Sequence, residues 1–153
     1  MSAQVSATTL RVVCPHCLAA NRVPADRIGE APSCGACKRD LFDGHPVALT
    51  QAAFERHTTA GDLPVVVDFW AAWCGPCLAM APIVERAARE LEPHVRVAKV
   101  DTEAEPGLAS RFGIRSIPTF VVVKNGVEVA RTTGATDAQR FVGWVRSATQ
   151  PRR

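Results

Sequence analysis

The chain predicts an α/β protein, a central mixed sheet with helices on both faces, preceded by a small cysteine-rich module. Three observations lead there. From Pro46 onward, short apolar β-branched runs alternate with stretches whose apolar residues recur every three or four positions. Near the end, the strand pattern doubles back across Lys124-Asn125-Gly126, a hairpin turn signal. Before Pro46 the texture differs: residues 11–44 hold four cysteines among Pro, Gly, Asn and charged residues, with few large apolar side chains.

Residues 1–10 are rich in Ser, Thr and Ala and are expected to fray. The segment 11–44 is too poor in apolar residues to hold itself by burial. Units below about 40 residues usually need a metal or disulfides. The boundary falls at Asp43-Gly44-His45-Pro46, and a larger domain spans 46–149. It opens with a short strand candidate, 46–49, and a short helix, 51–59. Residues 65–69 are apolar apart from Asp68, as expected of a strand covered on both sides.

In 76–91, Met80, Ile83, Val84, Ala87 and Leu91 fall on one helical face. Pro82 lies inside that pattern and is expected to kink the helix rather than end it. A strand over 95–100 and a short helix over 106–112 follow. Runs 119–123 and 126–131 form the hairpin, and Phe141, Trp144, Val145 and Ala148 mark the core face of a last helix. The order β α β α β α β β α gives parallel units followed by an antiparallel pair.

Composition narrows the function. Of 153 residues 47% are apolar, enough for a core, and no run approaches the roughly 18–20 apolar residues of a membrane span. Net charge is +3, and 5 Lys/Arg against 4 Asp/Glu in residues 1–45 leave no concentrated basic face for nucleic acid. Met1-Ser2-Ala3-Gln4-Val5 lacks a basic segment followed by an apolar one, so no secretory signal and a cytoplasmic location are expected. Thiols stay reduced there, which makes paired cysteines catalytic or metal-bound rather than structural disulfides. All six cysteines fall into three CxxC pairs.

Trp73-Cys74-Gly75-Pro76-Cys77 joins the strand at 65–69 to the helix at 76–91. A helix N-terminus leaves N–H groups unpaired and carries partial positive charge, so it favours a thiolate over a thiol. Two cysteines so spaced can attack a foreign disulfide and then close on each other. The pattern reads as a dithiol–disulfide oxidoreductase. Gly75 and Pro76 permit the tight entry, and proline suits a first helical turn. Asp68 is the odd residue: buried without a partner its pKa rises, whereas a strand-end aspartate facing water would be ordinary.

VVVDFWAAWCGPC, together with Pro82, Lys99, the segment IRSIPTF at 114–120 and Lys124-Asn125-Gly126, resembles thioredoxin over about residues 46–149. The resemblance implies a thioredoxin fold. It implies that Cys74 is the nucleophile and the more exposed thiol, with Cys77 resolving the mixed disulfide. Asp68 is implied to shuttle a proton to and from Cys77, with Lys99 close by. Ile117-Pro118 matches the family's cis-proline, which leaves backbone free to pair with an extended substrate; an ordinary trans proline is the alternative.

Trp73, Gly75, Pro76, Ile117 and Gly134 are implied to line the substrate groove, although Gly134 also suits a plain turn, and Trp70 and Trp73 also suit packing. Leu78 departs from the family, standing where a basic residue is frequent. The resemblance further implies a monomer that reduces disulfides of oxidised client proteins and is recharged by an NADPH-dependent thioredoxin reductase. Its cofactor is the redox-active disulfide itself, with no bound organic group and no membrane or nucleic-acid partner.

Cys14-x2-Cys17 and Cys34-x2-Cys37 stand 16 residues apart, within the spacing of four-cysteine zinc sites. Two such pairs supply a tetrahedral shell for one Zn²⁺, whose binding free energy becomes folding free energy. Arg11, Arg22, Lys38 and Arg39 temper the negative charge of the four thiolates. Cys14-Pro15-His16-Cys17 is also an active-site pattern of oxidising members of the thioredoxin superfamily. No apolar strand ending in aromatics precedes it, and Pro24 interrupts any following helix. An iron–sulfur or other metal centre is a further reading. With four cysteines in the shell, His16 and His45 are not expected to ligate. A thioredoxin domain with this extension is similar to the zinc-containing thioredoxin 2 subgroup. A second function stays open beside disulfide reduction: a zinc-dependent interaction module or redox-regulated chaperone whose N-terminal cysteines are the sensor.

Overall fold

The structure, a computed structural model, describes residues 8–150. It begins with a hairpin of β1 (Thr9–Val13) and β2 (Ala20–Pro24), antiparallel with Val12 opposite Asn21, followed by a 3-10 turn over Ala25–Arg27. β1 starts inside the stretch expected to fray, and residues 1–7 of that stretch lie outside the described residues. The hairpin was not legible in the sequence because its apolar positions are few; the loop bearing Cys14 and Cys17 brings the two strands together. Val12, Val23, Ile28 and Leu41 pack around the buried Cys14 and Cys34 as a small core of their own.

The larger domain runs β3 (Val47–Ala48), α1 (Gln51–Thr59), β4 (Val65–Trp70), α2 (Gly75–Leu91), β5 (Arg96–Asp101), α3 (Pro106–Arg111), β6 (Thr119–Lys124), β7 (Val127–Thr133) and α4 (Ala138–Thr149). Its five strands lie in the order β3-β5-β4-β6-β7. The pairs β3–β5 and β5–β4 are parallel, while β4–β6 and β6–β7 are antiparallel. This is the mixed sheet the pattern predicts. β7 extends to Thr133, two residues beyond the predicted run, because its outer residues pair with β6 as far as Thr119.

β4 lies at the centre and buries both faces. Val65, Val67 and Phe69 face α1 and α3 with Leu49, Phe54 and Leu108, while Val66 faces α2 and α4 with Met80, Val84, Phe120 and Phe141. The N-termini of α1 and α4 are closed by side chains, since the first N–H groups of a helix have no partner within it. The Thr50 hydroxyl accepts from the Ala53 N–H and the Asp137 carboxylate from the Arg140 N–H. α2 continues through Pro82 for 17 residues.

The N-terminal module docks where β4 and β5 begin. Arg11 pairs with Asp62 at 2.9 Å and the Arg56 guanidinium donates to the Leu18 carbonyl at 2.9 Å. Arg96, the first residue of β5, is 2% exposed; it donates to the Val13 carbonyl at 3.1 Å and to Glu92 at 3.3 Å, with the Phe42 ring over its guanidinium. The Gly44 N–H donates to the other Glu92 oxygen at 2.9 Å. Between Val13, His57 and Arg96 the seam leaves a cavity of only about 10 Å³.

Burial raises the Glu92 pKa and lowers that of Arg96, so desolvation outweighs the attraction within this pair. Such a pair adds little net stability, but breaking it is costly. Arg96→Leu leaves Glu92 buried and unpaired and is expected to lower stability by about 3 kcal/mol. Adding Glu92→Leu should restore part of that loss. Urea unfolding of parent, single and double variants measures both, and parental stability in the single variant would show that the seam does not depend on the pair.

Candidate active site and metal centre

β4 ends at Trp70, and the chain turns through Ala71 to Trp73 into α2. The Cys74 N–H donates to the Ala71 carbonyl at 3.1 Å, and both the Thr102 N–H and hydroxyl donate to the Trp70 carbonyl, at 2.9 and 3.0 Å. Thr102 follows the last residue of β5, so two neighbouring strand ends fix this turn; its place after a strand was the only signal of it. Cys74 is the N-cap of α2, and its sulfur accepts from the Cys77 N–H at 3.2 Å. Gly75 and Pro76 form the first, exposed turn.

Cys74 and Cys77 are joined as a disulfide, with Cα atoms 5.2 Å apart. Each is 3% exposed, so in this oxidised form burial does not make Cys74 the more exposed of the two, as the sequence reading had it. What distinguishes them is position: Cys74 precedes the helix and Cys77 lies within it.

The Ile117–Pro118 peptide is cis, and the Ile117 carbonyl oxygen lies 3.8 Å from the Cys74 sulfur. The Gly134 N–H donates to the Pro118 carbonyl at 2.9 Å. Gly134 has φ +92°, a conformation that favours glycine, and a Cβ there would meet open space. Trp73 is 70% exposed and Leu78 is also exposed, so the rim beside the disulfide is apolar. A depression of about 170 Å³ lined by Trp73, Thr102, Ala109, Ile114, Arg115 and Ile117 adjoins it.

Asp68 is 2% exposed and does not face solvent; its Oδ1 has no hydrogen-bond partner among the described residues. Lys99 is its register neighbour on β5, yet the ammonium lies 4.5 Å over the Trp70 ring. Burial therefore prevails over Lys99 and pushes the Asp68 carboxyl up to about 7.

At the other end of the sheet the four remaining sulfurs converge, all within 4.8 Å of one another. Cys14 and Cys37 sulfurs are 3.6 Å apart, as are those of Cys17 and Cys34. A tetrahedron of thiolates about 2.3 Å from zinc has edges of about 3.8 Å, so the donor set fits that ion.

The two halves repeat one geometry. The Cys14 and Cys34 N–H groups donate to the Ala19 and Arg39 carbonyls, five residues on, at 2.9 and 2.8 Å. The Leu18 and Lys38 N–H groups return to the Cys14 and Cys34 carbonyls at 3.0 and 2.9 Å, with φ of 67° and 69°. The Cys37 amide, helped by the Asn21 carboxamide and the Ala36 amide, draws the Cys34 thiol down to about 6 against its burial, while Cys17, despite the Ala19 amide, is pushed up to about 11 by burial and the neighbouring cysteines. Thiolate is the form a metal needs. His16 lies 3.8 Å from Asp43 and His45 2.8 Å from Glu85, and neither joins the cluster.

Comparison with known proteins decides the family. The family model described as Thioredoxin matches residues 45–147. The chain belongs to the thioredoxin family. A second family model, Thioredoxin 2, N-terminal, matches residues 13–39. Thioredoxin C-3 of Corynebacterium nephridii is 42% identical over 134 residues, covering 88% of this chain and 92% of that protein. Thioredoxin 1 of Synechococcus elongatus is 46% identical over 88 residues, 58% of this chain and 82% of its own length. Among solved structures, a thioredoxin mutant from Halobacterium salinarum NRC-1 superposes with a TM-score of 0.65 at 31% identity, over 73% of this chain and 97% of its own. The thioredoxin domain, with its bonded CGPC pair, makes this a thiol–disulfide oxidoreductase. No helix among the described residues is long and apolar enough to cross a membrane.

The Asp68 environment makes stability depend on pH. Unfolded, its carboxyl ionises near 3.8; folded, it holds the proton to about 7. The folded state thus binds more protons in that window, and stability falls as pH rises from about 4 to about 7. Asp68→Asn removes this slope and is expected to exceed the parent at pH ~8 by on the order of 4 kcal/mol. Urea unfolding across that pH range tests it, and parallel pH profiles would contradict a buried acid.

Proposed function

We propose that the chain is a cytoplasmic protein-disulfide reductase, acting as a monomer, built from a four-cysteine module at 11–44 and a thioredoxin domain at 46–149. The observation that carries this is Cys74 at the N-cap of α2, facing the cis Ile117–Pro118 peptide. In the reduced form Cys74 attacks one sulfur of a client disulfide as thiolate. Its sulfur forms a mixed disulfide, and one client thiolate leaves. Cys77 then gives up its proton and attacks the Cys74 sulfur, which closes the bond seen here and releases the second client thiolate.

Two electrons have passed to the client, and an NADPH-dependent thioredoxin reductase returns them. Asp68, with a carboxyl that titrates near 7, is suited to take the Cys77 proton at neutral pH, and Lys99 lies on the adjoining strand to moderate its charge. Free backbone at Ile117, the open side of Gly134 and the exposed Trp73, Gly75 and Pro76 suit an extended client strand laid across the disulfide.

Cys14, Cys17, Cys34 and Cys37 would hold one Zn²⁺. The ion would supply cross-linking in place of a large core. The exposure of Cys17 favours a second reading, in which an oxidant reaches the cluster and the module acts as a redox-controlled interaction device. Zinc that stays bound while peroxide oxidises only the CGPC pair would speak against that second reading.

Reduction of insulin by the purified protein with reductase and NADPH tests the leading one. Cys74→Ser should reduce turnover to background while leaving one zinc per chain. Cys77→Ser should accumulate the mixed disulfide, seen as a client adduct in non-reducing mass spectra. Full turnover by Cys74→Ser would end the proposal.

A further inference from the structure

We infer that Asn21 is the positioning residue of the four-cysteine centre, joining its two halves and donating a hydrogen bond to the Cys34 sulfur so that the thiolates are spaced for the metal before it binds. The inference rests on the zinc reading above. The Asn21 Oδ1 accepts from the Gly35 N–H at 2.8 Å. Its Nδ2 donates to the Ala19 carbonyl at 3.2 Å, and lies 3.4 Å from the Val12 carbonyl and 3.5 Å from the Cys34 sulfur. Val12 and Ala19 flank the first cysteine pair, and Gly35 lies inside the second. Apart from the sulfurs themselves, no other side chain among the described residues is hydrogen-bonded to both halves.

The repeat within the module sharpens the argument. Asn21 stands seven residues after Cys14, and the residue seven after Cys34 is Leu41, which is fully buried. The same place in the repeated geometry therefore accepts an apolar side chain in one half and carries a carboxamide in the other. A half-buried amide is tolerated where its bonds are made and is costly otherwise. Here those bonds cross from one half to the other and end on a ligand atom. A donor to a ligand sulfur withdraws charge from it and fixes its direction, the role that outer partners play around metal sites.

Three forms of the full chain test this: the parent, Asn21→Leu and Gly35→Pro. Leucine copies the residue of the other half, so packing is served but the bonds are lost. Proline copies Pro15, at the matching position of the first pair, and removes the N–H that holds the Asn21 oxygen. Zinc affinity is read by competition with a chromophoric chelator, and the sulfur-to-metal charge-transfer band by substitution with Co²⁺. Asn21→Leu should bind zinc roughly 10–100-fold more weakly. Its cobalt band should move to longer wavelength, because a sulfur without its donor gives up charge more readily.

Gly35→Pro should weaken zinc in the same direction, and it decides the matter if Asn21→Leu fails to fold. Parental affinity in the variants would overturn the inference, and so would weaker zinc with an unmoved cobalt band, which would mark a packing role alone. A parent that binds no zinc would instead sink the zinc reading, and the inference with it.

Discussion

β4 is covered on both faces, and its burial conditions everything around it. Its apolar residues form both cores of the thioredoxin domain, so its path is fixed along its whole length. Asp68 on this strand keeps its proton well above the usual carboxylate range, because burial penalises its charge and its Oδ1 has no hydrogen-bond partner among the described residues. The same rigidity fixes where the chain emerges. Beyond Trp70 the only continuation is the short turn that delivers Cys74 to the start of α2. A proton site and a nucleophile thus sit at one end of one strand as consequences of its burial.

The other end of β4 and β5 receives the N-terminal module. Six residues of strand span about 20 Å. The cysteine cluster, next to the start of β5, and the Cys74–Cys77 pair, beyond the end of β4, therefore lie at opposite ends of the sheet. Packing connects the two ends. The seam offers a route for that: Arg96 joins the Val13 carbonyl, next to Cys14, to the first residue of β5.

Most of the larger domain was legible from period and turn chemistry, because its strands are apolar runs and its helices carry clear faces. Asp68 was legible as an exception within such a run, and Pro118 and Gly134 only through the resemblance of the segments that hold them. The module was legible as cysteine spacing but not as structure. Thr9–Val13 and Ala20–Pro24 are too short and too polar to announce a hairpin, and their pairing depends on the knuckle between them. Arg96 and Asn21 were invisible for a related reason. An arginine at a strand start and an asparagine after a loop are ordinary until the tertiary structure buries one and aims the other at a sulfur. The expected difference in exposure between Cys74 and Cys77 is absent in the bonded form, where both are buried and the Cys74 sulfur lies 3.8 Å from the Ile117 carbonyl.

Three CxxC pairs in one chain share a local geometry and have different fates. In each, the second cysteine's N–H donates to the first cysteine's sulfur, at 3.5 Å for Cys14, 3.5 Å for Cys34 and 3.2 Å for Cys74. Spacing alone therefore does not choose between metal and disulfide. The choice follows from what comes next. After Cys17 and Cys37 a residue with φ near 70° turns the chain back, which faces each pair outward toward the other and brings four sulfurs together. After Cys77 an unbroken helix carries the chain away, and no further cysteine comes within reach among the described residues. A pair left by itself at a helix N-terminus has its thiolate supported by the helix rather than by a metal, so it stays free to bond to its neighbour or to a visiting disulfide, and that freedom is what makes it a redox centre.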